Sequence, residues 1–395
     1  MKLPVYLDYH ATTPVDPRVL EVMLPYFTET FGNPASSTHQ WGWKAQEAVE
    51  KGRRRLAALI GASAREIVFT SGATESNNLA IRGCCESLPG IREEFRNRIV
   101  TSAIEHKSVL ETCRRLEGAG FDVTFLPITR EGLVDLDAAR AAIDERTLLV
   151  SVMMANNEIG TLQPIRELAA LAHAAGALMH TDAAQAAGKV PIDVNDLGID
   201  LLSMTAHKMY GPKGCGALYV RRKLTLCPMI EGGGHERGIR SGTLNVPGIA
   251  GFGEAARIAK EDMADEAARM RALRDRLLQG LTSRLDGVRV NGSLEQRLPQ
   301  NLHVSFDAVD SDALIVAVGD IAVSAGSACQ SGKGGLSHVL QALYGDGAPH
   351  AAAVRFGLGR FSTEEEVDYA LEKFSAVVRH LRPSAQPRPH AQVPS

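Results

Sequence analysis

The chain has 395 residues, a length that predicts about two or three domains. Its hydrophobic residues (45%) and charged residues (23%) are close to the globular average, which excludes wholesale disorder and a fibrous fold. The 43 basic and 46 acidic residues give a formal net charge of −3, so we do not expect nucleic acid or an anionic membrane as the main partner.

The sequence predicts neither export nor membrane insertion. The first residues, Met1–Val5, contain one Lys and no apolar run typical of a signal peptide. Apolar stretches such as Leu148–Ala155 are too short to span a bilayer. The six cysteines form no Cys-x-x-Cys pair and have no zinc-ligand spacing. We therefore expect a cytoplasmic protein without structural disulfides and without a metal site.

Short apolar runs alternate with helical patterns over most of the chain before Gly253. The predicted strands are Ile67–Phe69, Ile99–Ser102, Val123–Pro127, Leu148–Ala155, Ala177–Thr181, Asp200–Met204 and Ala217–Arg221. Segments rich in Ala, Leu, Glu and Arg, such as Ile165–Ala175, are predicted helices. This repetition predicts an α/β fold with a mostly parallel sheet covered by helices. Ligands bind beyond the carboxyl ends of such strands, so polar residues there are candidate site residues.

The pattern changes between Gly253 and Leu285, where apolar residues recur at three- and four-residue steps. This spacing predicts one long amphipathic helix between a large and a smaller domain. Later elements are predicted at Asn301–Phe306 and Ile321–Ser324 (strands) and at Leu336–Leu343 and Thr363–Val378 (helices). The predicted domains are 15–257 (large) and 1–14 with 258–380 (small), followed by a disordered Pro-rich tail, 381–395.

Three polar segments follow predicted strands. Lys208 comes soon after Met204, and a lysine in a partly desolvated pocket can form a Schiff base; the alternative is an exposed surface lysine. Asp182, with Gln185 close by, could pair with a cationic ring nitrogen; the alternative is a helix N-cap. Ser71–Asn78 opens a helix that suits a phosphate; the alternative is a capping box.

Together, these three segments predict a pyridoxal phosphate site, because that cofactor needs a Schiff-base lysine, a partner for its ring nitrogen and a phosphate cradle. The helix start is neither Gly-x-Gly-x-x-Gly nor a Walker A motif. A dinucleotide site and a P-loop are therefore disfavoured.

The chain resembles the cysteine desulfurases of the NifS/IscS type, in the class-V aminotransferase family. The matching segments are Val5–Pro14, Phe31–His39, Thr70–Asn78, Glu105–Val109, Asn156–Gly160, Thr181–Gln185, Ala206–Gly214, Gly232–Thr243, Ser324–Cys329 and Arg355–Phe361. The resemblance implies the fold type I of pyridoxal phosphate enzymes, with a seven-stranded sheet in the large domain and a smaller α+β domain.

The resemblance also implies roles for single residues around the cofactor ring. The lysine matching Lys208 holds pyridoxal phosphate covalently and then moves protons as base and acid. The match to Asp182 keeps the ring nitrogen protonated, and the match to Gln185 binds the ring hydroxyl, with Asn157 nearby. The match to His106 stacks on the ring and takes part in acid–base steps.

Other matches concern the phosphate and the subunit contact. Ala73, Thr74, Thr205 and His207 match the phosphate cradle of the family. Thr243 matches a phosphate contact that comes from the partner subunit, which implies a homodimer with its sites at the interface.

The substrate end of the site is implied by Arg355 and Cys329. Arg355 matches the residue that binds the substrate carboxylate, a task that suits a bidentate guanidinium, with Asn157 close by. Cys329 matches the nucleophile, and we expect its loop of small residues to be mobile. It would take sulfur from L-cysteine, leaving L-alanine, and pass the persulfide to an iron–sulfur scaffold or a sulfur carrier.

Competing interpretations differ in what they require. A selenocysteine lyase or another class-V enzyme, such as an aminotransferase, is an alternative, although a transaminase does not need Cys329. A sulfur-relay protein without turnover would lack Lys208 or Cys329, and both are present. His10 stands where many relatives have Ser, and the sequence assigns it no role.

Overall fold

The computed structural model describes residues 3–87, 96–325, 337–345 and 351–382. The strands are β1 (Val5–Tyr6), β2 (Ile67–Thr70), β3 (Arg98–Ser102), β4 (Asp122–Leu126), β5 (Thr147–Ser151), β6 (Leu178–Asp182), β7 (Leu201–Thr205), β8 (Gly216–Val220), β9 (Val288–Val290), β10 (Asn301–Asp307), β11 (Ile321–Ala322), β12 (Ser324–Ala325) and β13 (Ala351–Gly357). The α-helices are α1 (Pro17–Met23), α2 (Pro25–Thr28), α3 (Gln40–Leu59), α4 (Ala73–Ser87), α5 (Lys107–Glu117), α6 (Leu136–Ala142), α7 (Ile165–Ala174), α8 (Val246–Arg284), α9 (Ser311–Ala317), α10 (His338–Tyr344) and α11 (Glu364–Leu381).

The main sheet has seven strands in the order β2-β8-β7-β6-β5-β3-β4. Strands β3 to β7 pair in parallel, and β8 runs antiparallel to both of its neighbours, β2 and β7. Every residue of β2, β5, β7 and β8 is buried, as expected for strands with helices on both faces. The predicted α/β fold with a mostly parallel seven-stranded sheet is confirmed.

A second, antiparallel sheet has the order β12-β13-β10-β9. Its strands pack with the later part of α8 and with α11 around a hydrophobic core of their own, separate from the cores that flank the main sheet. Helix α8 is continuous across the predicted domain boundary at residue 257. The predicted extents of the two domains stay a prediction.

The N-terminal arm, which we define as residues 5–13, runs from the second core to the main sheet. Its strand β1 pairs in parallel with β11, and Asp8 forms an isolated bridge with Gly357 at the end of β13. At its other end, the Thr13 hydroxyl donates to the His207 carbonyl and accepts from the Tyr210 backbone N–H. The arm therefore links the smaller sheet to the segment that carries Lys208.

Three predicted elements differ from the structure. The strand predicted over Leu148–Ala155 ends at Ser151, because the following apolar residues are buried in a loop rather than in the sheet. The strand predicted over Ile321–Ser324 is two short strands in two different sheets. The helix predicted from Gly253 starts at Val246, where glycines replace the apolar periodicity. The predicted tail lies almost wholly outside the described residues, apart from Leu381 and Arg382.

Among the described residues, no helix is both long enough and apolar enough to cross a membrane.

The core under the smaller sheet should tolerate truncation poorly. Phe374 of α11 is fully buried, with its ring 4.8 Å from that of Phe356 and 6.1 Å from that of Phe306. We expect Phe374→Ala to lower the free energy of unfolding by about 3–5 kcal/mol, measured by denaturant titration. The control Val316→Ala, at a position 80% exposed, should change it by less than about 0.5 kcal/mol. Equal effects of the two substitutions on the free energy of unfolding would contradict the placement of Phe374 in this core.

Candidate active site

A cavity of about 570 Å³ opens at the carboxyl edge of the main sheet, a size that suits a small-molecule ligand. It is lined by Ala11, Thr12, Ser71, Gly72, Ala73, Thr74, Glu75, His106, Met153, Ala155, Asn157, Asp182, Ala184, Gln185, Thr205, His207, Lys208, Lys213 and Gly214. These residues include every predicted cofactor-binding residue except Thr243. The structure therefore brings together side chains that are far apart in the sequence.

Strand direction explains this convergence. Strands β2, β3, β5, β6 and β7 all run the same way, so their carboxyl ends share one edge. Asp182 is the last residue of β6 and Thr205 the last of β7, while His106 and Asn157 follow β3 and β5 within a few residues. Lys208 ends the short 3₁₀ turn Ala206–Lys208, directly after β7.

Asp182 is buried and held by two donors. Its Oδ2 accepts from the Asn77 side-chain amide at 2.7 Å, and its Oδ1 accepts from the Ala184 backbone N–H at 2.8 Å. The second bond is the local turn contact that the N-cap interpretation anticipated, although a turn and not an α-helix follows. A carboxylate fixed by two donors keeps its orientation and can still face a cation across the cavity.

Asn77 is a site residue that the sequence analysis missed. It is fully buried in α4, and its Nδ2 donates both to Asp182 and to the Ser108 hydroxyl at 2.8 Å. The Ser108 hydroxyl is in turn 2.8 Å from His106 Nδ1. Asn77 therefore links the carboxylate on β6 to the histidine after β3. Its place inside a helical motif offered no signal of this link, because the contact depends on tertiary packing.

His106 caps helix α5 and is held as a neutral ring. Its Nδ1 accepts from the Ser108 backbone N–H at 3.2 Å, so the ring proton belongs on Nε2. Burial lowers the pKa of His106, and the positive charge of Lys208 acts in the same direction, although Asp182 opposes them. The structure thus presents a neutral imidazole with an Nε2–H donor at the cavity.

The start of α4 forms the opposite end of the cavity. The first backbone N–H groups of a helix lack intrahelical partners and attract anions. Glycine is required beside them: a Cβ on Gly216 would lie 2.5 Å from the Cα of Gly72, so β8 approaches this turn without a side chain. The Glu75 carboxylate accepts from the Ser71 backbone N–H, four residues before it, at 2.8 Å.

His207 and Thr205 border the same end. The His207 Nδ1 lies 3.1 Å from the Thr12 hydroxyl of the arm, and the Thr205 hydroxyl donates to the Cys215 carbonyl at 3.3 Å. Burial, followed by the charges of Lys208 and Lys213, lowers the pKa of His207 to about 4. His207 is therefore a neutral hydrogen-bonding group at neutral pH, and the lysines supply the positive charge.

Two of the described site residues that the sequence predicted, Arg355 and Thr243, do not line the cavity. Arg355 lies beside it on β13, and its Nη1 donates to the Asn157 carbonyl at 2.7 Å. Thr243 is exposed and belongs to the loop before α8. Cys329 lies outside the described residues, as does most of its loop.

These residues fit a pyridoxal phosphate molecule. The site offers an amine (Lys208), a buried carboxylate (Asp182) and a helix N-terminus in the lining of one cavity. In addition, Asn157 Oδ1 is buried without a hydrogen-bond partner among the described residues, which leaves an acceptor for a donor on a bound group. Among the described residues, no group of three or more His, Cys, Asp or Glu side chains could hold a metal ion.

Removal of the Asn77 amide should weaken cofactor binding. We expect Asn77→Ala to lower the affinity of the apoprotein for pyridoxal phosphate by about 10- to 100-fold, because a hydrogen bond to a charged group contributes about 1.5–3 kcal/mol. The measurement is a titration of cofactor absorbance. The control Asn195→Ala alters an exposed residue outside the cavity and should leave the affinity unchanged. An unchanged affinity in Asn77→Ala would refute the role of this link.

Comparison with known proteins identifies the family. The family model for "Aminotransferase class-V" matches residues 5–370. A protein from Anaeromyxobacter sp. (strain K), described as "Cysteine desulfurase IscS", is 55% identical over 384 residues, covering 97% of this chain and 94% of the relative. Another from Methylococcus capsulatus (strain ATCC 33009 / NCIMB 11132 / Bath) with the same description is 53% identical, with the same coverage.

Solved structures agree with the sequence relatives. A "NIFS-LIKE PROTEIN" superimposes with a TM-score of 0.88 at 40% identity, covering 95% of this chain and all of that one. A structure described as "SspA in complex with cysteine" gives a TM-score of 0.79 at 37% identity, covering 91% of this chain and 100% of that one. This chain therefore belongs to the class-V aminotransferase family of pyridoxal phosphate enzymes and, within it, to the cysteine desulfurases of the IscS and NifS type.

Proposed function

We propose that this protein is a cysteine desulfurase that converts L-cysteine to L-alanine and carries the released sulfur on Cys329. The observation that carries the proposal is the single cavity in which Lys208, Asp182, Gln185 and His106 meet at the start of α4. The 55% identity to an IscS cysteine desulfurase over nearly the whole chain supports the same reaction.

The lining of the cavity supports a role for each residue that we propose to hold the cofactor. Lys208 would be the covalent attachment point, Asp182 would pair with the ring nitrogen, and Ala73 and Thr74 at the start of α4 would receive the phosphate. Thr205 and His207 complete the phosphate end. When bound, pyridoxal phosphate supplies an aldehyde for amines and an electron-poor ring that delocalises the charge left when a Cα proton is removed.

Lys208 and His106 would share the proton transfers. The Lys208 amine would remove the Cα proton of the bound substrate and return a proton at another position. His106, neutral and with its proton on Nε2, is a donor to groups in the cavity. Because Asn77 and Ser108 orient both His106 and Asp182, one network positions the proton donor and the carboxylate together.

Arg355 would bind the substrate carboxylate from the edge of the cavity. Its Nη2 donates to Asp8 Oδ1 at 2.8 Å and to the Ser324 hydroxyl at 2.9 Å. Its Nε is buried and has no hydrogen-bond partner among the described residues. A donor therefore remains for a carboxylate while Asp8 and the Asn157 carbonyl hold the guanidinium in place.

The ends of the Cys329 loop are anchored close to the cavity. Ser324, five residues before Cys329, bonds to Asp8 and Arg355. On the other side of the loop, His338 Nε2 lies 3.0 Å from the carbonyl of Glu105, the residue before His106. Five residues of chain span at most about 17 Å, which limits how far Cys329 can lie from Ser324.

The described cysteines are poor candidates for the nucleophile. Burial raises the pKa of Cys84, Cys113 and Cys215 to about 12, so they carry little thiolate at neutral pH. None of the described cysteines lines the cavity. Cys329 would attack the substrate sulfur: one S–S bond forms and the substrate Cβ–S bond breaks. The electron pair and a proton go to Cβ, so cysteine becomes alanine and Cys329 becomes a persulfide.

Two substitutions should separate cofactor chemistry from sulfur transfer. We expect Cys329→Ser to keep the yellow cofactor spectrum but to lose sulfide release from L-cysteine with reductant. Lys208→Ala should lose the spectrum of the lysine-linked cofactor and at least about 100-fold in alanine formation. Cys227→Ser, at a half-buried residue outside the cavity, is the matched control and should behave like the wild type. Undiminished sulfide release in Cys329→Ser would remove that residue from the mechanism.

A homodimer would complete the site. Thr243 does not line the cavity of its own chain, yet its loop is held firmly: Arg240 pairs with Glu75 at 2.9 Å, and the Ser241 N–H donates to the Ile230 carbonyl. At the base of this loop, the buried pair Arg53–Glu236 is bidentate at 2.7 Å. A rigid, exposed loop with a hydroxyl at its end suits a contact to the phosphate of a second copy.

An exposed apolar segment supports the same assembly. Six large apolar side chains between residues 20 and 43 are 45% to 63% exposed: Leu20, Leu24, Phe27, Phe31, Trp41 and Trp43. The rings of Phe31 and Trp41 stack at 5.0 Å and so present a joint surface. Solvent-exposed aromatic clusters of this kind are typical of subunit interfaces.

Mixed dimers can test the assignment of Thr243. Lys208→Ala and Thr243→Glu chains should each be inactive alone, the second because its carboxylate repels the phosphate. Coexpressed chains should recover about a quarter of wild-type activity, since half of the dimers then hold one intact site. The control is coexpression of Lys208→Ala with a Lys208→Ala/Thr243→Glu chain, which should stay inactive. No recovery in the first mixture would indicate that Thr243 serves its own chain, and full activity of Thr243→Glu alone would indicate that it serves neither site.

The proposal includes a second step, in which the sulfur leaves Cys329. The persulfide on Cys329 would pass to a protein acceptor, either a scaffold for iron–sulfur clusters or another sulfur carrier. The cytoplasm is the compartment that we propose for this protein and for its acceptor.

A further inference from the structure

His10, to which the sequence assigns no role, lies buried between the cavity and the smaller sheet. It is 2% exposed. Its Nδ1 is 3.0 Å from Gln185 Oε1, and its Nε2 is 3.1 Å from the Asn301 side-chain nitrogen. The His10 backbone carbonyl accepts from Gln185 Nε2 at 3.0 Å. His10 therefore contacts a cavity-lining residue with both its ring and its backbone.

The orientation of the Asn301 amide is determined by groups that have a single hydrogen-bonding role. Arg297 can only donate, and its Nη1 is 2.8 Å from Asn301 Oδ1. The Glu158 carbonyl can only accept, and it is 3.0 Å from Asn301 Nδ2. Asn301 must therefore direct its NH₂ group toward His10, and His10 Nε2 must be an acceptor.

The Gln185 side gives the same tautomer independently. The His10 carbonyl can only accept, so it fixes the NH₂ group of Gln185 on that side. Gln185 Oε1 then faces His10 Nδ1, which must carry the ring proton. Two separate constraints thus agree on a ring protonated at Nδ1 alone.

The surroundings also keep the ring neutral. Burial, followed by the charges of Arg355, Lys208 and Lys189, lowers the pKa of His10 to about 3, against the opposing effect of the Gln185 hydrogen bond. A second proton on Nε2 would point at the NH₂ group of Asn301. Each hydrogen bond in the series Arg297, Asn301, His10 and Gln185 therefore keeps the same donor and the same acceptor throughout the neutral pH range.

We propose that His10 is a positioning residue for the cofactor, because it fixes the orientation of the Gln185 side-chain amide. In that orientation, the second N–H of Gln185 Nε2 is the donor offered to the ring oxygen of pyridoxal phosphate. The inference rests on the proposed function, in which Gln185 binds that oxygen. A donor stabilises the oxygen as an anion, most strongly when the Lys208 linkage is deprotonated and no longer shares its own proton with the oxygen. The donor thereby lowers the pKa of the linkage.

The test compares two His10 variants with a matched buried histidine. His10→Asn keeps an N–H in the place of Nδ1, whereas His10→Leu removes it. His303→Asn is the control: His303 is also fully buried, two residues from Asn301 on β10, and its Nδ1 lies 2.8 Å from Asn291 Nδ2. Neither His303 nor Asn291 lines the cavity. The readout is a pH titration of the cofactor absorbance of each holoenzyme.

His10→Leu should raise the pKa of the Lys208 linkage by about one unit, as expected for the loss of one oriented hydrogen bond to a charged oxygen. His10→Asn should return the pKa of the linkage most of the way to its wild-type value. His303→Asn should titrate like the wild type. A wild-type pKa in cofactor-loaded His10→Leu, or an equal shift in His303→Asn, would overturn the proposal.

A second measurement needs no variant. In the wild-type holoenzyme labelled with ¹⁵N-histidine, NMR should show His10 protonated at Nδ1 and unprotonated at Nε2, with no titration across the neutral range. A proton on Nε2, or a titrating ring, would refute the inference even where His10→Leu fails to fold. Absence of cofactor absorbance from the wild-type protein would instead refute the proposed function. The NMR measurement tests only the tautomer of His10, so the two failures can be distinguished.

Discussion

The direction of the strands is the constraint on which the site depends. Because β2, β3, β5, β6 and β7 run the same way, the residues after them meet at one edge, although up to 138 residues separate the start of β2 from the end of β7. The antiparallel β8 contributes differently: its amino end lies at that edge, and the absence of a side chain at Gly216 allows it to approach the start of α4. The same sheet therefore positions the start of α4, the Asp182 carboxylate and Lys208.

The N-terminal arm connects the edge of the main sheet that carries the cavity with the smaller sheet. Its strand β1 pairs with β11, its Asp8 holds Arg355 and Ser324, and its Thr13 binds the backbone on both sides of Lys208. The arm thus connects the lysine-bearing edge of the main sheet with the strand that carries the proposed carboxylate binder and with the start of the Cys329 loop. Substrate binding and sulfur transfer would then share one short segment of chain, although the two sheets have separate cores.

The sequence predicted most of the main sheet and named many of the residues that line the cavity, and the reasons for its failures are physical. Buried parallel strands appear as apolar runs, and polar residues directly after them mark the ligand edge, so the sequence pattern alone indicates Asp182 and Lys208 as site residues. The run at Leu148–Ala155 misled because a buried loop is as apolar as a strand. The roles of Asn77 and His10 escaped notice because their partners, Asp182 and Gln185, are more than one hundred residues away in the sequence.

The central claim is that sulfur from L-cysteine moves onto Cys329 through the chemistry at Lys208. The most direct test is mass spectrometry of peptides from the holoenzyme after a single turnover with sulfur-labelled L-cysteine, without reductant. We predict that the peptide containing Cys329 gains the mass of one labelled sulfur atom, in proportion to the alanine formed. Alanine formation without label on Cys329, or label on another cysteine, would contradict the account.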